Sequence, residues 1–167
     1  MTKQTLRKNL LSQRRQLSVS EVSCMSKKIA KNFINNINVC EKIIHIYTNC
    51  KDGEVDTFFL QSHLKKASLV LTSHTHFHNK TLTHYNIVNG KYYEGHIDII
   101  IVPGIAFNTS GHRIGYGYGF YDRFLDKHKE SILVGFAYDF QLQKNISNNE
   151  HDIPVHFICT ENKYIKI

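Results

Sequence analysis

No apolar run in this chain approaches the roughly 20 residues of a membrane span. The opening MTKQTLRKNLLSQRR lacks the apolar core and small-residue cleavage site of a secretory signal. Both absences point to a cytoplasmic protein without membrane partners. Cysteine is sparse and scattered: Cys24, Cys40, Cys50 and Cys159 form no Cys-x-x-Cys pair. Reduced thiols fit that spacing better than a disulfide framework or a zinc site. Acids are outnumbered, 14 Asp and Glu against 21 Lys and Arg, leaving a net charge of +7. Such a surplus suits nucleic acid, a membrane surface or a polyanionic small molecule. The bases are spread, with one denser run at the N-terminus, and no motif interleaves them with stacking aromatics. A nucleoside triphosphate with a polycarboxylate substrate uses the same field, and nucleic acid is not the expected partner. Internal repeats and low-complexity linkers are also missing. Residues 1–167 therefore read as one domain. A globular chain of this size buries roughly 70% of its unfolded surface and needs no staples.

What is present is concentrated in residues 97–125, IDIIIVPGIAFNTSGHRIGYGYGFYDRFL. An apolar, β-branched run predicts a buried strand. A turn at Pro103-Gly104 and a loop spaced by Gly111, Gly115, Gly117 and Gly119 follow. Helical spacing then places Tyr121, Phe124, Leu125 and His128 on one side. Strand, glycine loop and helix in that order can cradle an anion, because glycines let backbone N–H groups approach it. The loop is neither a Walker loop nor a dinucleotide fingerprint. By spacing alone a plain tight loop is as good a reading. Arg113 can contact phosphate through two nitrogens, and Asp122 in the helix's first turn can hold a hydrated Mg²⁺. Tyr116, Tyr118, Phe120 and Tyr121 offer flat faces, of which at least one belongs in the core.

Elsewhere the pattern predicts alternating helices and strands. Residues 2–17 read as a helix capped by Thr2, with Leu6, Leu10, Leu11 and Leu17 as its apolar stripe. Lys3, Arg7 and Arg14 form a second stripe, either a solvated face or a cationic arm. A second helix is expected over 20–37, with Ser20 as cap. Strands are expected over 42–47, 67–73, 85–88, 132–137 and, last, 155–160. Between the first two lie a loop, 48–54, and a short helix from Asp56-Thr57 through Leu60 and Leu64. His74, His76 and His78 alternate and fall on one strand face. Without an acidic or cysteine neighbour they read as a polar face rather than a metal site. Asn89-Gly90 reads as a turn. The expected fold class is α/β, a three-layer α/β/α arrangement around a largely parallel sheet. Ligands in such sheets sit at loops beyond the strand C-termini.

The segment VPGIAFNTSGHRIGYGYGFYDRFL resembles the signature of the 5-formyltetrahydrofolate cyclo-ligase family. Three further segments match it: Lys3-Gln4-Thr5-Leu6-Arg7, Glu54-Val55-Asp56-Thr57, and His151-Asp152-Ile153-Pro154 with the strand after it. The resemblance implies a fold like that of the sugar-phosphate isomerase and CoA-transferase group. It implies an ATP- and Mg²⁺-dependent monomer that converts 5-formyltetrahydrofolate, with or without a polyglutamate tail, to 5,10-methenyltetrahydrofolate. The formyl oxygen is phosphorylated, N10 attacks, and ADP and phosphate leave. ATP would lie on Lys3, Gln4, Thr5, Leu6 and Arg7 and along the loop Arg113, Ile114, Gly115, Tyr116, Gly117, Tyr118, Gly119, Phe120 and Tyr121. Folate would meet Asn49, Glu54 and the loop from Tyr116 to Phe120. Arg113 and Tyr121 would be catalytic, and Asp122 and Asp152 would hold the metal.

The sequence departs from the family in three places. Tyr118 stands where relatives have Gly or Lys, and Asn108 replaces an Asp. Residues 74–96 lack a Pro-Val pair and a Gly-Ile-x-Glu-Pro run. Another phosphate-using enzyme on the same scaffold, or a non-catalytic nucleotide-binding protein, is the alternative.

Overall fold

The computed structural model describes residues 2–48, 50–147 and 152–167. Helix α1, Lys3–Arg15, starts where Thr2 accepts a hydrogen bond from the Thr5 amide at 3.2 Å. Helix α2, Val19–Asn36, begins one residue before the expected cap, Ser20. Ser18 caps it, because Glu21 three positions on completes a capping box that Ser20 has no partner for. Strand β1, Ile43–His45, is followed by a loop and the single turn α3, Phe58–Gln61.

Strand β2, Leu69–His76, runs past the expected end at Ser73, because His74, Thr75 and His76 pair with Thr83, Leu82 and Thr81 of β3. Strand β3, Thr81–Asn86, starts earlier than expected and turns at Asn89-Gly90 into β4, Tyr92–Tyr93. Gly90 sits at φ +67, a left-handed conformation that suits glycine. Strand β5, Ile99–Pro103, leads into a two-stranded ribbon, β6 Ala106–Phe107 and β7 Arg113–Ile114. Helix α4, Phe120–Asp126, strand β8, Ile132–Phe136, and β9, Phe157–Cys159, follow. The expected last strand is not last: β10, Tyr164–Lys166, returns antiparallel to β9.

The sheet order is β10-β9-β8-β5-β1-β2-β3-β4. The central run from β9 to β2 is parallel, and both margins are antiparallel. Alternation along β5 shows why helices cover both faces. Ile99 and Ile101 pack with Ile29 and Phe33 of α2, while Ile100 and Val102 pack with Phe124 and Leu125 of α4. Apolar residues on successive positions must face opposite sides of a strand, so each side needs its own cover. Helix α1 does not join either layer. Its Leu6 and Leu10 pack on Ile105, Ala106 and Ile114 at the ribbon, which carries its N-terminal half to the sheet's C-terminal edge.

Candidate active site

The C-terminal ends of β1, β2 and β5 open onto a cleft of about 860 Å³. Lys3, Arg7 and Arg15 of α1 line one part, and Tyr47, Lys51, Asp52 and Glu54 after β1 another. The loop from Gly115 to Phe120 crosses it. His74, Thr75, Phe77 and Leu82 of the β2–β3 hairpin also line it.

Two arginines fix the glycine loop from its two ends. Arg7 donates from Nε to the Gly115 carbonyl at 2.9 Å, and a Cβ on Gly117 would meet its guanidinium at 3.6 Å. Arg123 of α4 donates to the Tyr118 carbonyl at 2.8 Å and to the Lys80 carbonyl at 3.0 Å. The second bond ties the hairpin tip to the loop. Gly119 caps α4 in the left-handed region, φ +69, and a Cβ there would stand 3.1 Å from Arg123. Tyr118 does not fill the loop. It is 57% exposed, and its ring meets Phe77 at 6.0 Å and Phe120 at 5.9 Å. Asn108 has a structural role: its side-chain oxygen accepts from the Ser110 and His112 amides and closes the turn before the ribbon's second strand.

Arg14, placed by spacing on the exposed stripe, is buried at 1% exposure. It donates to the Asp52, Lys51 and Gly104 carbonyls and to the Tyr116 hydroxyl. Its guanidinium lies 3.6 Å from Glu54, whose carboxylate is 8% exposed. Glu54 Oε1 accepts no hydrogen bond among the described residues. Burial pushes the Glu54 carboxyl up to about 7, and Arg14 only partly opposes it. Burial and the Glu54 charge also push the Tyr116 phenol up to about 12 and raise Tyr121 well above the usual range. The Tyr121 phenol therefore stays protonated and can serve only as a hydrogen-bond donor or acceptor.

The candidate metal acids both reach the cleft, each held by a base. Arg113 Nη2 binds Asp122 Oδ1 at 2.7 Å, and Lys3 Nζ stands 3.2 Å from Asp152 Oδ2. A cationic side chain therefore already partners each of these carboxylates. Of the expected ATP residues, Leu6 is drawn into the core, and Gln4 and Thr5 are exposed on α1 outside the cleft lining. Ile114 lines the cleft at 2% exposure and also packs under α1. Asn49 lies outside the described residues. Phe77 and its hairpin were missed as cleft residues. The alternating His-Thr-His-Phe-His was visible, but no spacing tells that a strand will bend over a ligand edge.

The family model for the 5-formyltetrahydrofolate cyclo-ligase family matches residues 84–161. A 5-formyltetrahydrofolate cyclo-ligase of Mycoplasma genitalium is 31% identical over 144 residues, 83% of this chain and 86% of that protein. The cyclo-ligase of Escherichia coli is 41% identical over 69 residues, 40% of this chain and 38% of that one. Among solved structures, a 5,10-methenyltetrahydrofolate synthetase from Mycoplasma pneumoniae superposes with a TM-score of 0.85 at 26% identity, covering 96% of this chain and 99% of that chain. The synthetase from Aquifex aeolicus gives a TM-score of 0.80 at 30% identity, with 99% and 93% covered.

Proposed function

This chain belongs to the 5-formyltetrahydrofolate cyclo-ligase family, and we propose on that premise that it closes 5-formyltetrahydrofolate to 5,10-methenyltetrahydrofolate while converting ATP to ADP and phosphate. The observation that carries the reading is the meeting of the α1 cations, the glycine loop and Glu54 around one cleft. The chemistry explains why such a site needs cations and precise placement. A formamide oxygen leaves poorly and its carbon is weakly electrophilic. Phosphorylating that oxygen remedies both, after which N10 attacks the carbon and phosphate departs. Such transfers depend on positioning and charge neutralisation more than on a covalent nucleophile.

In this reading Lys3, Arg7 and Arg113 balance the phosphates, and the loop from Ile114 to Phe120 follows the nucleotide and the folate. Tyr121, fixed as a neutral phenol, donates a hydrogen bond to an oxygen of the reacting phosphoryl group. Glu54 faces the N–H groups of the folate. Phe77, Phe120 and Tyr118 supply aromatic surface at the hairpin side. Asp122 and Asp152 are hard oxygen donors at the same cleft, a donor set that fits Mg²⁺ with water and phosphate completing its shell. When bound, such an ion would offset the negative charge of the ATP phosphates. Cytoplasmic location, a monomer, and a fold likeness to the sugar-phosphate isomerase and CoA-transferase group belong to the same proposal.

The test is direct. Protein, Mg-ATP and 5-formyltetrahydrofolate are mixed, and the near-ultraviolet absorption of the methenyl product is followed. Product that requires both substrates supports the reading. Absence of product, where a cyclo-ligase of the family works in parallel, rejects it.

A further inference from the structure

Arg14 lines no part of the cleft, yet it touches three segments that do. Nε donates to the Asp52 carbonyl at 2.8 Å, and Nη2 to the Lys51 carbonyl at 3.1 Å and the Tyr116 hydroxyl at 2.5 Å. Nη1 donates to the Gly104 carbonyl at 3.3 Å and lies 3.6 Å from Glu54 Oε1. A guanidinium has five N–H donors in a planar fork, so one side chain can span the β1 exit, the β5 exit and the glycine loop. An ammonium on a flexible stem cannot hold the same acceptors in one plane. The loop is pinned at this point by backbone as well. Gly53 has φ +67, and a Cβ there would stand 2.4 Å from the Arg14 carbonyl.

We propose that Arg14 is a positioning residue for the reaction: from behind the cleft it holds the 51–54 turn, Gly104 and Tyr116 in register and sets a fixed positive charge 3.6 Å from Glu54, where the folate meets it. The inference rests on the folate reading above and deepens it. Glu54 is the group through which Arg14 acts. It is faced by Arg14 from α1, by Lys51 and Asp52 of its own turn, by Tyr47 and Cys50 after β1, by Tyr116 of the loop and by Tyr121 of α4. Arg14 is the largest influence that favours the charged form, and burial is the largest that opposes it, with Asp52 acting in the same direction as burial. Loss of the guanidinium leaves burial and Asp52 to act with only the Lys51 backbone and side chain against them. Glu54 then carries its proton through neutral pH, and a protonated acid accepts hydrogen bonds from folate N–H groups poorly.

The experiment compares the wild type with Arg14→Met, which loses charge and fork, and Arg14→Lys, which keeps charge and loses the fork. The Glu54 carboxyl is titrated by carbon NMR in the ligand-free protein, with Glu54→Gln to assign its signal. Steady-state kinetics are measured across pH 5.5–9. In Arg14→Met the Glu54 midpoint should rise by a pH unit or more, and the acidic limb of kcat/KM should rise with it. KM for 5-formyltetrahydrofolate should rise tenfold or more, exceeding the change in KM for ATP. Arg14→Lys should leave the midpoint within half a unit of wild type yet still raise the folate KM several-fold.

A folded Arg14→Met whose midpoint and acidic limb stay in place overturns the proposal. So does activity that falls only in proportion to the unfolded fraction. If Arg14→Met does not fold, Arg14→Lys decides: a variant identical to wild type in folate KM rejects the role of the fork. A wild type that makes no product would reject the folate reading separately, because the carboxyl titration still reports the Arg14–Glu54 coupling.

Discussion

Lys3 Nζ stands 3.2 Å from Asp152 Oδ2, joining the first turn of the chain to the segment that leads into β9. The α1 arm is thus fixed over the cleft by the acid proposed to hold a metal. Asp122 is engaged in the same way by Arg113. In the proposed reading, a Mg-nucleotide entering here would exchange these pairs for new ones, phosphates for the bases and a divalent ion for the acids.

Arg7→Ala should raise the KM for ATP about tenfold or more. It should also cost about 1–2 kcal/mol of stability, because a charged donor to the Gly115 carbonyl is lost. Kinetics and denaturant unfolding read the two effects separately. Unchanged ATP kinetics in the folded variant would reduce Arg7 to a clamp on the loop.

Asp122→Asn and Asp152→Asn should both lose turnover, Asp122→Asn the more. Asp122→Asn leaves the buried Arg113 without its carboxylate partner, so some loss of thermal stability is expected with it. Raising Mg²⁺ should restore part of the activity of each. Turnover equal to wild type in either variant would remove that residue from the metal assignment.

Phe77→Ala should raise KM for 5-formyltetrahydrofolate several-fold with little change in stability, since the ring is 63% exposed and packs edge-on against Phe120 at 5.3 Å. Calorimetric titration of each ligand separates folate from nucleotide. A weaker affinity for ATP alone would place the nucleotide base, not the folate, at this ring.

Glu54 gives a pH signature of folding. Its folded pKa, about 7, lies above the unfolded value of about 4.3, so the native state binds the extra proton. Its effect on stability is therefore unfavourable above that window and vanishes as pH falls below it. Glu54→Gln should stabilise the ligand-free protein at pH 8 by on the order of 2 kcal/mol and much less at pH 4.5. Urea unfolding at the two pH values checks it, and equal effects at both would contradict it.

A second signature has the opposite sign. His45, His84 and His128 surround Phe124 of α4, with ring centroids 4.6–5.0 Å from it. Burial lowers all three, His84 to about 4, so the folded state holds them neutral. For His84 the unfolded chain binds the extra proton between about pH 4 and 6.5. Stability is present above 6.5 and is lost as pH falls through that window, by up to about 1.4 kcal/mol per pH unit for a group such as His84. His84→Asn should flatten the acid-side decline in urea midpoint between pH 7 and 5. A decline as steep as wild type would show that carboxylates, not this cluster, govern it.

The alternation of helices and strands, the parallel centre of the sheet and the glycine loop were all readable from local spacing. Each of these rests on local spacing: 3.6-residue stripes in α1 and α2, apolar runs in β1, β5 and β8, and left-handed turns that only glycine fills easily. Lys3, Arg7, Glu54, Arg113 and Asp122 stood out because the short motifs that carry them resemble the family's, and all five line the cleft; spacing alone left Lys3 and Arg7 as either a solvated face or a cationic arm. Which side chains share the cleft depended on packing between distant segments. Arg14 and Lys3 look alike on one helical stripe, yet one is sealed behind the site and the other reaches across it. The β1 exit loop folds over Arg14 and buries it, a contact 37 to 38 positions away in the chain. Strand β2 extends through the histidines because β3 pairs with it, which carries Phe77 to the ligand edge. Register and burial arise from contacts between segments far apart in sequence, and no periodicity within one segment encodes them.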